Sequence, residues 1–320
     1  VYYQTPKNID NTSNYILMND KLMVVNTHKT QKSIGTKKIK LPKIIIDEIE
    51  NYIDETGDLD ILLKNQVYFQ DHFTHYCQQT TKQPETTFTT YEGTILEHMI
   101  IEHVVAINHL GSKGFIKLMD ADWNDGLDMG KKQGETIAFT MMYTHHLKRL
   151  SDWITALGVE TLTLYEPLVN LMNQSIDVNT YFDLCVTSEK SMTVSAKDVS
   201  KQLKVLHETM LDHIRKHAFQ HEMYQSYISH DGHFLDNDQT VMLTGQAMAL
   251  LNNIATPEQA ISLSKKTREV LYDETLGGYQ LNSLYDATKH PLGRAFYFAY
   301  HHKENGAVFL DSAKSGENAR

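Results

Sequence analysis

The stretch Ile95-Leu96-Glu97-His98-Met99-Ile100-Ile101-Glu102-His103-Val104-Val105-Ala106-Ile107 decides the fold class. Ile95, Leu96, Met99, Ile100, Val104 and Ile107 return at steps of three and four, the mark of a helix with one face turned to a core. Glu97 and His98 stand inside that apolar run, so at least one faces inward as a hydrogen-bonding group of the core. The same period returns at Leu203, Leu206, Met210, Leu211 and Ile214. Further helices are predicted over 43–55, 136–158, 239–253 and 257–271. The last has Thr256 at the N-cap, Pro257 at the first helical position and Glu258 in the first turn. Strand-like alternation is scarce, confined to 68–73 and 306–310, and the polar stretch 187–198 reads as an inserted loop. The pattern implies an all-α architecture of paired helices with functional residues on the loops between them.

With 320 residues, 41% of them hydrophobic, the chain can bury a sizeable core. No Gly/Ser-rich or Pro-rich linker divides it, so a single domain over 1–320 is expected, with 1–42 an irregular N-terminal part and 312–320 a tail. The formal net charge of −10 argues against a polyanion binder. The one basic stretch, Lys29 to Lys43, holds no Arg and no aromatic to stack on a base, so nucleic acid is not expected as a partner. No apolar run is long enough to span a bilayer, so no membrane partner is expected either. The only cysteines, Cys77 and Cys185, are far apart, which excludes a disulfide framework and fits a cytoplasmic location. A start at Val1 without an initiator Met suggests a processed chain or a fragment.

The most informative chemistry lies in Ala121-Asp122-Trp123-Asn124-Asp125-Gly126. Two carboxylates, an indole and a carboxamide within a few residues make a kit for gripping a sugar and protonating a glycosidic oxygen. A carboxylic acid keeps its proton near neutral pH when burial or a neighbouring carboxylate raises its pKa. The face of Trp123 suits the C–H face of a pyranose, while Asp122 and Asn124 suit its hydroxyls. The plainer reading of the same hexapeptide is a polar turn. A second cluster, His301-His302-Lys303-Glu304-Asn305-Gly306, precedes Ala307-Val308-Phe309. Lys303, Glu304 and Asn305 form a donor and acceptor set suited to sugar hydroxyls, with Arg294 upstream and His302 as phosphate-contacting candidates. An exposed charged turn is the plainer reading here.

Three other patterns compete. His213, His217 and His221 fall at four-residue steps on a predicted helix, a chelating spacing, but no Cys is near and a polar face is the default, so no metal is expected. Asp231, Asp236 and Asp238 loosely resemble a calcium loop that lacks its bidentate Glu, and a turn is the preferred reading. Gln246, amid Leu243, Ala247 and Leu250, is either a core hydrogen-bonding group or a sugar contact.

Taken together, two stretches resemble the inverting disaccharide and oligoglucan phosphorylases, the cellobiose and chitobiose phosphorylase family. The first is 120–130 followed by Gly134-Glu135-Thr136; the second is Leu292-Gly293-Arg294 with Lys303-Glu304-Asn305-Gly306-Ala307-Val308-Phe309. Supporting similarity lies in Tyr52 through Thr56-Gly57-Asp58, in Glu97-His98, in Leu243-Thr244-Gly245-Gln246-Ala247 and in Gly278-Tyr279-Gln280-Leu281-Asn282, in the family's order. The wording around Asp128-Met129 and over 296–309 is most like the 1,2-β-oligoglucan phosphorylase branch. The resemblance implies an (α/α)6 barrel, incomplete at this length, with a sugar site on its loops. It also implies a glycoside phosphorylase with Asp125 as the general acid, Trp123 against the sugar and Glu304 and Gln246 as substrate contacts. No cofactor is implied: inorganic phosphate is the co-substrate and a β-linked oligosaccharide the substrate.

Departures from that pattern accompany the matches. Where relatives carry an Arg and a Ser-Asp-Asp run, this chain reads Lys37-Lys38-Ile39-Lys40-Leu41, and Asp311 stands where a phosphate-holding His is expected. They sustain a second reading, a sugar-binding relative without turnover, and a hydrolase is a third. An incomplete toroid also exposes apolar inner faces, from which a homo-oligomer is expected.

Overall fold

The computed structural model describes residues 15–17, 22–25, 37–40, 46–69, 90–119, 127, 134–185, 188–285 and 293–308. The chain divides into two compact units, Val1–Ile61 and Leu62–Arg320.

In the first unit, where irregular chain was expected, the strands Tyr15–Leu17, Leu22–Val25 and Lys37–Lys40 pair as an antiparallel sheet in sequence order. The predicted helix of this unit runs over Ile46–Thr56. Its end is written in the Tyr52-to-Asp58 motif. Gly57 takes a left-handed φ of 71°, and its N–H donates to the Ile53 carbonyl at 2.7 Å. The Tyr52 hydroxyl then donates to Asp58 at 2.8 Å. That motif therefore terminates a helix.

The second unit holds seven of the eight described α-helices. The periodic stretch quoted above forms Ile95–Asn108, capped by Thr94, whose hydroxyl accepts from the Glu97 N–H. Glu97 and His98 are both buried, as an inward-facing pair requires. The predicted helix over 136–158 forms as Ile137–Leu157, with Thr136 as N-cap and Gly158, φ 66°, as left-handed C-cap. Ala196–His217 lies antiparallel to it. Ser151 Oγ bonds to Ser200 at 2.9 Å while His207 Nδ1 meets the Thr144 carbonyl at 2.7 Å, so the sequence numbers run in opposite senses along the pair. Between them Ile137, Met141 and Ile214 enter an apolar cluster with Phe115, Tyr224, Leu243 and Leu263. Helix Ile95–Asn108 joins through a buried imidazole pair, His103 Nε2 to His146 Nδ1 at 3.0 Å. His146 is therefore a core residue.

Helix Pro257–Leu271 matches its predicted bounds, and Thr256 and Gln259 close a capping box at its start. The helix predicted over 239–253 is shorter, Leu243–Leu251. Two helices escaped prediction, Glu166–Met172 and Val178–Cys185, both too short to display a period.

Strands are more numerous than the alternation predicts. Fourteen are described, none longer than five residues, in six antiparallel sheets. The supposed loop 187–198 contains one of them: Ser191–Ser195 pairs with Thr161–Tyr165 before helix Ala196–His217 begins. Four helices start directly from a strand in this way, at Ile95, Ile137, Glu166 and Ala196. No described helix is long and apolar enough to cross a membrane. Cys185 is buried, and its thiol donates to the Phe182 carbonyl at 3.3 Å.

The capping box makes a local test. Thr256→Ala removes the acceptor for the Gln259 N–H and is expected to lower the unfolding free energy by about 1 kcal/mol in urea titrations; an unchanged midpoint would contradict this.

Candidate active site

Asp122, Trp123 and Asp125 lie outside the described residues; the chain on either side of them is held in one sheet. Ile116–Lys117, upstream, pairs with Glu135–Thr136, downstream, and Glu135–Thr136 also pairs with Tyr227–Ile228. Both ends of the segment therefore leave from neighbouring strands of one sheet. The anchor is Glu135, fully buried, in the Gly-Glu-Thr motif. Its carboxylate accepts the Lys113 and Phe115 N–H groups, each at 2.9 Å, and so fixes the turn that leads into the upstream strand. Gly111 makes room for it, since a Cβ there would stand 2.3 Å from the Glu135 carboxyl carbon.

Within the segment, Leu127 is fully buried. It shares one apolar cluster with Leu118, Tyr227, Leu235, Met242, Tyr285 and Phe296. Phe296 belongs to the short 3-10 turn Arg294–Tyr297 that introduces the second polar cluster. Leu127, in the first stretch that carries the family resemblance, and Phe296, between the two runs of the second, thus share one patch of core although they stand 169 residues apart in sequence.

Beside that patch sits Asp236, which is buried with its polar atoms fully engaged. Oδ1 accepts the Tyr285 hydroxyl at 2.5 Å and the Met242 N–H at 2.8 Å, and Oδ2 accepts the Ser226 N–H at 2.6 Å. Burial raises the Asp236 carboxyl to about 6, the donors offsetting this only in part. Sequence reading placed this residue in a turn or a loose calcium loop. Asp231 bonds instead to Ser229, and Asp236 faces the core, so the three aspartates do not converge. The clamp's partners are up to 49 positions away, and no local pattern announces them.

The second polar cluster is a pair of tight turns, with the His302 N–H on the Ala299 carbonyl at 3.0 Å and the Asn305 N–H on the His302 carbonyl at 3.1 Å. Gly306, φ 76°, closes them: a Cβ there would meet the Tyr300 ring at 2.4 Å, so both backbone and space demand glycine. Asn305 is buried. It accepts from Asn282 at 3.0 Å and donates to the Phe298 carbonyl at 2.7 Å, which makes it a structural tie. His302 and Lys303 are exposed and Glu304 half-buried; the Lys303 ammonium rests over the Phe298 ring at 4.8 Å. Arg294 is exposed. His301 and Lys303 both take left-handed φ, 70° and 51°, strain of the sort that concentrates at functional turns.

The supporting motifs are neighbours of this turn. Met242 bridges to Asn282, and Gln280 to Val308, so the three motifs lie side by side. Gln246 is buried: its Oε1 accepts the Tyr224 N–H at 3.0 Å, and its amide donates to the carbonyls of Tyr224 at 2.5 Å and Met242 at 3.1 Å. The core hydrogen-bonding reading of this residue matches that geometry: the carbonyl and the amide group are both engaged with backbone. Glu97 is likewise a core tie, accepting the Tyr91 hydroxyl at 2.8 Å and the Tyr165 N–H at 2.7 Å, with its carboxyl raised by burial.

The histidine series does not hold together. His213 and His217 are ring neighbours 4.7 Å apart, but the helix ends at His217 and His221 lies in the following hairpin turn with φ 52°. Among the described residues no group of three or more His, Cys, Asp or Glu is placed to hold a metal. Asp311 lies outside the described residues.

The model of the glycosyl hydrolase 94 superfamily, catalytic domain, matches residues 11–315. Among curated proteins, none matches the chain significantly.

Asp236 gives a pH-dependent test. The folded chain binds its proton up to about 6, whereas the unfolded chain releases it near 3.8. Its contribution is therefore full below the lower value and lost as pH rises through the upper one, a change of roughly 3 kcal/mol. In urea unfolding at pH 4 to 7, the stability of the wild type minus that of Asp236→Asn is expected to fall across this window and then level off. A difference that stays constant with pH would contradict the burial argument.

Proposed function

Because the chain belongs to the glycosyl hydrolase 94 superfamily and carries its catalytic domain, a domain of glycoside phosphorylase and hydrolase type, we propose that it performs inverting phosphorolysis of β-glucosidic bonds. The substrate is a β-glucan or β-linked disaccharide, with β-1,2-linked glucans the first choice, and the setting is the cytoplasm. The observation that carries this reading is the meeting of Leu127, two residues beyond Asp125, with Phe296, beside Arg294, in one cluster. The helices, two of which run antiparallel along each other, are read as a set of an (α/α)6 barrel in a single catalytic domain.

In the proposed reaction Asp125 donates its proton to the glycosidic oxygen as the C1–O bond breaks. A phosphate oxygen attacks C1 from the opposite face. The products are an α-linked sugar 1-phosphate and a glucan shortened by one unit, with the proton on the released hydroxyl. Phosphate is already an anion at neutral pH, so no side chain must deprotonate the nucleophile, and one carboxylic acid suffices where a hydrolase needs two. Trp123 stacks on the sugar, Asp122, Lys303 and Glu304 bind hydroxyls, and Arg294 and His302 attract phosphate. Gln246 and Asn305 contribute by fixing the surrounding backbone, since their carboxamides are engaged within the protein. A second reading, sugar binding without turnover, draws on Lys37-Lys38-Ile39-Lys40-Leu41 in place of the expected carboxylates and on Asp311.

Incubation of the chain with a panel of β-glucans and inorganic phosphate is expected to yield an α-anomeric sugar 1-phosphate, seen by phosphorus and proton NMR. Asp125→Asn is expected to lower the rate about 10²- to 10⁴-fold. Free glucose with no phosphate ester would favour a hydrolase, and binding without product would favour the second reading.

A further inference from the structure

Two members of the histidine series on helix Ala196–His217, His213 and His217, take no part in the proposed reaction. Together with the turn over 111–115 they line a pocket of about 400 Å³. Sites for small molecules run from about 300 to 1,000 Å³, so the space exceeds what an inorganic ion needs. One wall is fixed in place. The His213 Nε2–H donates to the Lys113 carbonyl at 3.0 Å, and the His213 ring packs on Phe115 with centroids 4.9 Å apart. Gly114 permits that seat: its φ is 84°, and a Cβ there would stand 2.8 Å from His213 Nε2. The turn is held in its own right by Glu135, which accepts the Lys113 and Phe115 N–H groups.

Charge decides what such a pocket takes. Lys113 and Lys216 both line it and both are exposed, and among the described residues no carboxylate lines it. In a chain of net charge −10, two ammoniums at one opening without a carboxylate between them make a local positive field. Two unit charges match the dianion of a phosphate monoester better than a single carboxylate. The same ammoniums repel a metal cation, so the histidine pair reads as a donor wall and not as a chelate. His217, whose ring stands 4.7 Å from that of His213, brings a ring N–H to that wall. Phe234, half-buried, also lines the pocket and supplies apolar surface for a ring.

We infer that this pocket binds a small phosphate monoester, with the phosphate on Lys113, Lys216 and His217 and the ring against Phe234. The ring is that of a sugar or of an aromatic group, and the phosphate is common to both. None of the described residues assigned above to the reaction lines the pocket, so the inference stands or falls apart from the phosphorolysis.

The test titrates the full chain with its histidine rings labelled with carbon-13. The Cε1–H signals of His213 and His217 are assigned with His213→Gln and His217→Gln; if His213→Gln does not fold, the His217 signal alone decides. Glucose 6-phosphate and phenyl phosphate are the two esters, with inorganic phosphate and glucose as controls. At least one ester is expected to shift the signals saturably, with a Kd about 10-fold or more below that of inorganic phosphate, while glucose leaves them in place. The tighter ester identifies the ring. Lys113→Gln combined with Lys216→Gln is expected to weaken that ester by about 10-fold or more, since two charge-assisted bonds are lost. Both side chains are exposed, so folding does not depend on them. Esters that leave the signals in place, inorganic phosphate that binds as tightly as either ester, or an affinity unchanged in the double lysine variant overturns the inference. Ester binding seen by calorimetry without movement of these signals belongs to another site and overturns it as well.

Discussion

A loop can enter the interior of a helical domain only if its backbone N–H groups find acceptors there, because an unpaired amide in the core forfeits the hydrogen bonds it made to water. Helices satisfy their own amides, but this chain repeatedly starts a helix from a strand of two to five residues, too short to satisfy the chain that leads into it. Buried carboxylates fill the deficit. Glu97 takes the Tyr165 N–H, Glu135 takes those of Lys113 and Phe115, and Asp236 takes those of Ser226 and Met242. Each acid is buried, and each offsets its desolvation with charge-assisted bonds to backbone.

The placement of these acids explains where the candidate site lies. Glu135 fixes the way into and out of the segment that holds Asp122, Trp123 and Asp125, while Asp236 fixes the surroundings of Leu127 inside it. The strained turn over 301–306 is held by the Asn282–Asn305 pair and by a glycine that nothing larger can replace. Gln246 and Asn305 belong to this framework, although by residue type they look equally suited to a carbohydrate.

Legibility in the sequence followed the length of each element. Helix Ile137–Leu157 was readable to its caps, and Pro257–Leu271 to its first residue, because a long amphipathic period and local capping chemistry are both written in neighbouring residues. Glu166–Met172 and Val178–Cys185 were not readable, since seven or eight residues hold barely two turns of a period. Two-residue strands such as Glu135–Thr136 carry no alternation at all, and Ser191–Ser195 looks polar because its side chains are largely exposed. In the candidate site the motif words were legible, Asp122-Trp123-Asn124-Asp125 and Lys303-Glu304-Asn305 above all. Which of their members are engaged by the protein itself was not.

The sequence by itself determined that the chain is mostly helical, where its longest helices begin and end, and to which family of glycosidic-bond enzymes it belongs. These follow from residues within a turn or two of each other, or from motifs kept in order. Only the tertiary structure decided that Asp236 is a core clamp and not part of a turn, that Gln246 and Asn305 serve the backbone, and that Leu127 and Phe296 share one cluster. Those outcomes depend on burial and on partners tens to more than a hundred residues away, and neither is encoded in a residue's immediate neighbours.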